Sequence, residues 1–309
     1  MDPTSSLSEQ DRWRSAVLDE VFKAMAASPA LSESLVYKGA RVLRLRLKEV
    51  LRASFDIDAS LASFAANAGM ATDGASRESL RSLAHKAIVH YFENQDPVRY
   101  ELTNSTLASR RRIGPHPRGW DVYWLDIQIR DLTAEGAAVA PASQLRIDIA
   151  APELLSEYSV SPIELDGHII KAVTLERISG EKLRAFLSCL PTYRRKLKET
   201  TDVERRVKDL YDLVRIISKR PLTDEPFWVT AGGEFQLACK SRYIDCSGLP
   251  SFKEDWDRTR QEYAAAKTLP SDVTFEQAET TLEQVAAFLA EKGFTPIAFD
   301  IPPIDEPGA

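Results

Sequence analysis

The chain has 309 residues and a mass of 34.5 kDa, with 44% hydrophobic and 28% charged residues. That is the balance of an ordinary globular protein, long enough for two domains at roughly 100–200 residues each. Thirteen Gly and seventeen Pro exclude a collagenous or low-complexity chain, and no apolar run approaches the ~20 residues that span a bilayer.

The N-terminus, MDPTSSLSEQDRWR, carries charge at once and lacks an apolar segment, which points to a cytoplasmic protein. Trp13, Val17, Val21, Phe22 and Met25 then recur at helical spacing behind a cap at Ser8 or Asp11. Lys38-Gly39-Ala40 forms a turn before a helix over 41–51, and Phe55-Asp56-Ile57-Asp58 alternates with the period of a half-buried strand. A helix follows over 77–93. The stretches 98–103, 122–129, 144–149 and 168–173 alternate or are rich in β-branched and aromatic residues, as strands are. Beyond 174 the pattern turns helical, over 175–187, 203–218, 226–241, 252–267 and 275–292, before the Pro-rich tail IPPIDEPGA. The expected organisation is an α+β domain over 1–174 followed by an all-helical domain over 175–309.

Forty basic residues stand against forty-six acidic ones, a formal charge of −6 that is not built to attract nucleic acid everywhere. The distribution is uneven. Twelve Lys/Arg against five Asp/Glu between Lys182 and Arg220 give a local +7, and seven against sixteen from Pro221 onward give −9. Such a block is either a positive face for a polyanion, through Arg194, Arg195, Lys198, Arg205 and Arg206, or a solvated helical surface. Arg110, Arg111, Arg112 and Arg118 form a second cationic group, which reads equally as an RNA contact or a solubilising turn. His85, His90, His116 and His168 lack metal-ligand spacing, and Cys189, Cys239 and Cys246, odd in number, read as core residues rather than disulfides or nucleophiles.

The sharpest feature is Asp56-Ile57-Asp58 after Ser54. Residues two apart on a strand share a face, so both carboxylates project together, and a divalent cation between them relieves their repulsion. The alternative is an acidic outer strand edge. Upstream, Lys38 and Gly39 stand at a helix N-terminus, where free N–H groups favour phosphate. Downstream, Asp148 offers a third carboxylate on another strand. Glycine turn, paired carboxylates and a third acid outline a nucleotidyltransferase core, because phosphoryl transfer is mainly positioning plus metal stabilisation of charge.

These residues carry a family likeness. Lys38-Gly39-Ala40, Leu43, Arg52 and Ser54-Phe55-Asp56-Ile57-Asp58 resemble the opening motif of the AbiEii-type nucleotidyltransferase toxins. That abortive-infection family includes the mycobacterial MenT proteins and belongs to the DNA-polymerase-β-like superfamily. Glu181-Lys182-Leu183-Arg184-Ala185 and the run Arg205-Arg206-Val207-Lys208-Asp209-Leu210-Tyr211-Asp212-Leu213 are similar to two of its helices, in the family's order, and the likeness covers about 35–220.

The resemblance implies a polymerase-β-like mixed-sheet domain followed by a helical domain that contributes Lys182 and Asp209. Asp56 and Asp58 would hold Mg²⁺, with Asp148 as third carboxylate and Ser54 beside them; Lys182 would contact nucleotide phosphate and Asp209 complete the site. Where the family commonly has a small residue and then a hydroxyl, this chain has Ala40 and Arg41, so Arg41 is expected to donate to phosphate alongside Lys38 and Gly39. The implied reaction moves a nucleoside monophosphate from an NTP to an acceptor, in relatives the 3′ end of tRNA, blocking translation and growth. A cognate antitoxin, usually a helix-turn-helix protein, is the implied partner. The rivals are an antibiotic-modifying nucleotidyltransferase and a non-catalytic module that only binds a nucleotide or partner. Removing Asp56 or Lys182 is expected to leave the fold intact.

Overall fold

Alternating apolar and polar residues give this protein a sheet with two unlike faces. A computed structural model describes residues 8–49, 52–62, 74–111, 121–133, 143–150, 153–201 and 203–301. The strands are β1 (Leu35–Lys38), β2 (Ile57–Leu61), β3 (Tyr100–Arg111), β4 (Asp121–Asp131), β5 (Ser143–Ala150), β6 (Val160–Leu165) and β7 (His168–Val173). Among the described residues they form one sheet in the order β3-β4-β5-β2-β1-β7-β6. It is mixed: β2 runs parallel to β5 and β1 to β7, and the other neighbours are antiparallel.

Tyr123, Leu125, Ile127 and Ile129 on β4, with Leu145, Ile147 and Ile149 on β5, are all buried. Helices α1 (Glu9–Ala26), α2 (Pro29–Ser34) and α4 (Gly74–Glu93) lie against the sheet, α4 on β3, α2 on β1 and β7, and α1 on β7. Ser8 caps α1 by accepting from the Asp11 N–H, and Val17, Leu18, Val21, Phe22 and Met25 form its buried stripe. The intervening residues of β4 and β5, among them Trp124, Asp126, Arg146 and Asp148, face the other way. The short helix α3 (Gly39–Leu47) leaves β1 directly and lies against β2.

The last strand ends at Val173, and α5 (Leu175–Leu187) begins after Thr174, whose hydroxyl accepts from the Arg177 N–H. There follow α6 (Pro191–Lys196), α7 (Val207–Lys219), α8 (Glu225–Arg242), α9 (Leu249–Phe252), α10 (Trp256–Ala265) and α11 (Phe275–Glu291). Helix α11 opens on a full capping box between Thr274 and Gln277. One contiguous apolar core runs through sheet and helices alike. The architecture is α+β, a mixed sheet layered with helices and followed by a helical region, and no described helix is long and apolar enough to cross a membrane.

Sequence periodicity misses β1, β6, α2 and α6, elements of four to six residues. Such segments are too short to show a period; β1 exists because β2 and β7 hold it on both sides. The helix expected over 252–267 begins only at Trp256, after Asp255, which has φ 55°, and α9 lies ahead of it. The strand expected from Phe55 begins two residues later, at Ile57.

Helices α5 and α8 touch backbone to backbone at Gly180, where an added Cβ would stand 2.5 Å from the Phe235 nitrogen. Gly180→Ala should therefore push the two helices apart and destabilise the protein by roughly 1–3 kcal/mol, seen as a lower Tm in thermal unfolding.

Candidate active site

Strand register assembles the acidic part of the site. Lys38 on β1 lies opposite Asp58 on β2, Asp58 beside Asp148 on β5, and Asp148 opposite Trp124 on β4. Asp56, two residues before Asp58, joins the same face, and one carboxylate oxygen from each of Asp56, Asp58 and Asp148 lies within 4.8 Å of the others. Burial, then Asp56, pushes the Asp58 carboxyl up to about 6, and the same two causes raise that of Asp148.

The triad has the marks of a cation site. Asp148 Oδ1 is buried and makes no hydrogen bond, which is costly for a carboxylate oxygen unless a cation supplies the partner. A Cβ at Gly39 would sit 2.0 Å from Asp58 Oδ2, and Gly39 adopts φ +78°. Only glycine fits both the turn and the carboxylate it cradles. The donor set, three carboxylates half open to water, suits Mg²⁺.

The helical region faces this triad with cations. One face of α5 turns Ile178, Lys182 and Ala185 into the cleft, beside Glu181 and Arg184. Lys182 Nζ lies 2.8 Å from Asp209 Oδ1 and 2.6 Å from Asp212 Oδ2. Asp209 sits in the first turn of α7, where the helix dipole favours its charge, and also accepts from Arg206 Nε at 2.5 Å. Asp212 accepts from Arg52 through both oxygens, at 3.1 and 2.9 Å, so the loop before Asp56 is tied to α7. Burial works against all these charges, yet Arg206 and Lys182 hold the Asp209 carboxyl well below its usual range. Likewise Asp209 and Asp212 raise the Lys182 ammonium against its own burial.

A second cluster closes the glycine-turn end. Lys38 Nζ is 3.0 Å from the buried Glu153, which Arg242 reaches from α8 at 3.4 Å. Burial opposes its ionisation, but Lys38, Arg242 and Arg184 keep Glu153 strongly acidic. Seven cations line the cleft in all, against six carboxylates. Among the described residues Arg184 and Lys208 enter it without an ion pair of their own.

Of the residues expected from the sequence, Lys38, Gly39, Asp56, Asp58, Asp148, Lys182 and Asp209 line this one cleft. Ser54 lies behind it and donates to Asp56 Oδ1 at 2.8 Å, fixing that carboxylate. Arg41 corrects an expectation, because it cannot reach a phosphate at the turn. It stands two residues into α3, about 200° around the helix from Gly39, and is 3% exposed. Its guanidinium pairs with Asp19 and donates to the Ser15, Ser54 and Asp56 carbonyls, clamping the metal loop to α1.

The basic block is corrected too. Arg194 pairs with Glu199, Arg195 with Glu254, Lys196 with Asp245, Arg205 with Asp255 and Arg206 with Asp209. Arg205 is buried outright. Much of the block is paired with its own acids and those of the later helices, while Lys198 is exposed and has no ion pair among the described residues, and Arg195 stays 69% exposed. The side-chain placements of Arg110, Arg111, Arg112 and Arg118, with His116 and residues 302–309, lie outside the described residues. The three cysteines are buried and unpaired with one another. Sequence reasoning passed over Glu153 and Arg242 for want of any local pattern, whereas Arg52, Arg184 and Lys208 stood inside the family-like stretches without a role.

Two outcomes follow from these charges. Asp58 is protonated more readily in the folded than in the unfolded chain, so between pH values near 4 and 6 the native state holds the extra proton. Its contribution to stability therefore falls as pH rises through that window. Asp58→Asn should raise the unfolding free energy of the metal-free protein above pH 7 by on the order of 2 kcal/mol, with the gain vanishing near pH 4. Lys182→Ala, contrary to the sequence expectation, should destabilise the fold by about 3 kcal/mol, because it strips a cation from two buried carboxylates. Urea unfolding measures both.

With this geometry in view, known proteins supply the context. The crystal structure of an H. pylori protein described as a nucleotidyltransferase is 17% identical, covering 93% of this chain and 97% of that one at a TM-score of 0.50. It shows a shared fold. An antigenic nucleotidyltransferase-like protein from Paracoccidioides brasiliensis is 13% identical over 78% of this chain and 96% of that one, at a TM-score of 0.34, and carries no argument. No curated protein matches. The family model for the nucleotidyl transferase AbiEii toxin of a Type IV toxin–antitoxin system, by contrast, matches residues 22–300. The chain, whose acidic triad faces a rim of cations across one cleft, belongs to the AbiEii nucleotidyltransferase toxin family.

Proposed function

We propose that this protein is the toxin of a toxin–antitoxin pair and acts in the cytoplasm as a Mg²⁺-dependent nucleotidyltransferase. It moves a nucleoside monophosphate from an NTP to the 3′ end of tRNA and thereby blocks translation. The observation that carries this reading is the meeting of the Asp56, Asp58 and Asp148 triad with cleft-lining Lys38, Lys182, Arg184 and Lys208. A cleft that is acidic on one wall and cationic on the others suits a metal-bound polyphosphate.

In this reading Asp56, Asp58 and Asp148 hold the metal, which when bound neutralises charge on the phosphate oxygens. The triphosphate lies toward the Gly39 turn, where Lys38 and Arg184 meet its charge and Lys182, fixed by Asp209 and Asp212, supplies a rigid positive centre. The acceptor oxygen forms its bond to the α-phosphorus as the bond to the bridging oxygen of pyrophosphate breaks. Its proton passes to the Asp148 carboxylate oxygen that does not hold the metal. Residues 1–174 act as the metal-binding unit and 175–309 as the unit that closes the cleft and fixes Lys182 and Asp209. A cognate antitoxin restrains the activity.

An antibiotic-modifying enzyme needs a cleft that attracts a cationic drug, and the seven lining cations disfavour that. A purely binding module has no use for an orphaned metal-facing carboxylate oxygen. The test is incubation with each labelled NTP, Mg²⁺ and total cell RNA. The wild type should label tRNA, and Asp56→Ala should lose at least about a thousandfold in rate while melting within a few degrees of wild type. Full activity in Asp58→Ala, or undiminished transfer in excess EDTA, overturns the mechanism.

A further inference from the structure

Beyond the cleft, on the far side of the triad from the glycine turn, β5 and β4 carry a built planar surface. The Arg146 guanidinium carbon lies 4.2 Å from the centroid of the Trp124 ring. Asp126 grips the edge of the same guanidinium, with Nε to Oδ1 at 2.8 Å and Nη2 to Oδ2 at 3.3 Å. Indole below and carboxylate at the edge fix the plane, yet the Arg146 side chain remains 43% exposed. An ordinary surface arginine keeps its rotamers; this one is held over the indole by Asp126 and still presented to solvent.

Its place in the sheet gives that plane a use. Arg146 precedes Asp148 by two residues on β5 and shares its face, about 7 Å away by strand rise. Trp124 lies directly opposite Asp148. In-line displacement puts the attacking and leaving oxygens on opposite sides of the phosphorus. If pyrophosphate departs toward Gly39, which follows β1, the acceptor must enter from the β5–β4 side. Among the described residues, Arg146 over Trp124 stands on that side.

We infer that the Arg146 guanidinium, backed by Trp124 and edged by Asp126, is the stacking platform for the terminal nucleobase of the acceptor RNA. The inference rests on the RNA-directed reading above and deepens it by naming what holds the acceptor end. Single-stranded RNA ends are recognised by stacking on aromatic rings or arginine planes, and such a platform tolerates any base while orienting the 3′ hydroxyl toward Asp148.

The test compares wild type, Arg146→Lys, Arg146→Ala and Trp124→Phe on two substrates, an intact tRNA and the same tRNA with an abasic 3′-terminal nucleotide. Stacking predicts that Arg146→Lys and Arg146→Ala both raise the KM for intact tRNA about tenfold or more. Trp124→Phe, which keeps an aromatic support, should do so less. The KM for NTP, the Tm and the KM for abasic tRNA should stay near wild type. Rescue by lysine, or equal losses on intact and abasic tRNA, would mean a charge or a structural role and overturn the platform while leaving tRNA transfer standing. A wild type that labels no tRNA overturns both.

Discussion

Three carboxylates held within 4.8 Å of one another on a single sheet face repel, and much of the charged architecture of this protein answers that repulsion. The sheet cannot relieve it, because register pins Asp58 beside Asp148 and the Gly39 turn leaves no room behind Asp58. Relief has to come from outside the sheet. The cleft brings cations on several walls and leaves Asp148 Oδ1 without a protein partner, so the remaining compensation falls to a ligand.

The cations are themselves disciplined by carboxylates that take no part in the triad. Lys182 is locked between Asp209 and Asp212, Arg52 is spent on Asp212, and Lys38 reaches Glu153. A buried ion pair adds little net stability, because desolvation offsets the Coulomb attraction, but it fixes position. Here the effect is to hold positive charge at set points around a phosphate-sized space instead of letting long side chains collapse onto the triad. The links Arg52–Asp212 and Arg242–Glu153 also join the sheet to the helices that close over it. The arrangement of the cleft and the attachment of the sheet-bearing segment to the later helices are therefore served by the same charges.

The fate of the basic block follows from the same logic. Its +7 is a property of a sequence window, and electrostatic potential is a property of a surface. Folding brings Glu254, Asp255 and Asp245 from the acidic later segment against Arg195, Arg205 and Lys196, so two opposite windows cancel in space. Among the described residues of the block, Arg184 and Lys208 remain without an ion pair in the cleft and Lys198 outside it.

The sequence by itself was enough for the chemistry of the acidic side. The two-residue period of Asp56-Ile57-Asp58 suggests that both carboxylates share a face, although β2 begins only at Ile57 and Asp56 is held beside Asp58 by Arg41 and Ser54. Apolar alternation in 144–149 assigns Asp148 to the face opposite Ile147, and a glycine before a helix marks the turn. The placement of Asp58 and Asp148 is a local consequence of strand geometry, and the family-like stretches added Lys182 and Asp209. What tertiary structure alone decided is everything that depends on distant segments meeting: which cations remain unpaired, that Arg41 clamps α1 instead of touching phosphate, that Glu153 and Arg242 close the cleft, and that Arg146 lies flat on Trp124. An arginine reads the same in sequence whether it neutralises a neighbour, ties two loops together or waits for a ligand. Its role is set by which carboxylate comes within about 4 Å, and that distance is fixed only when the chain has folded.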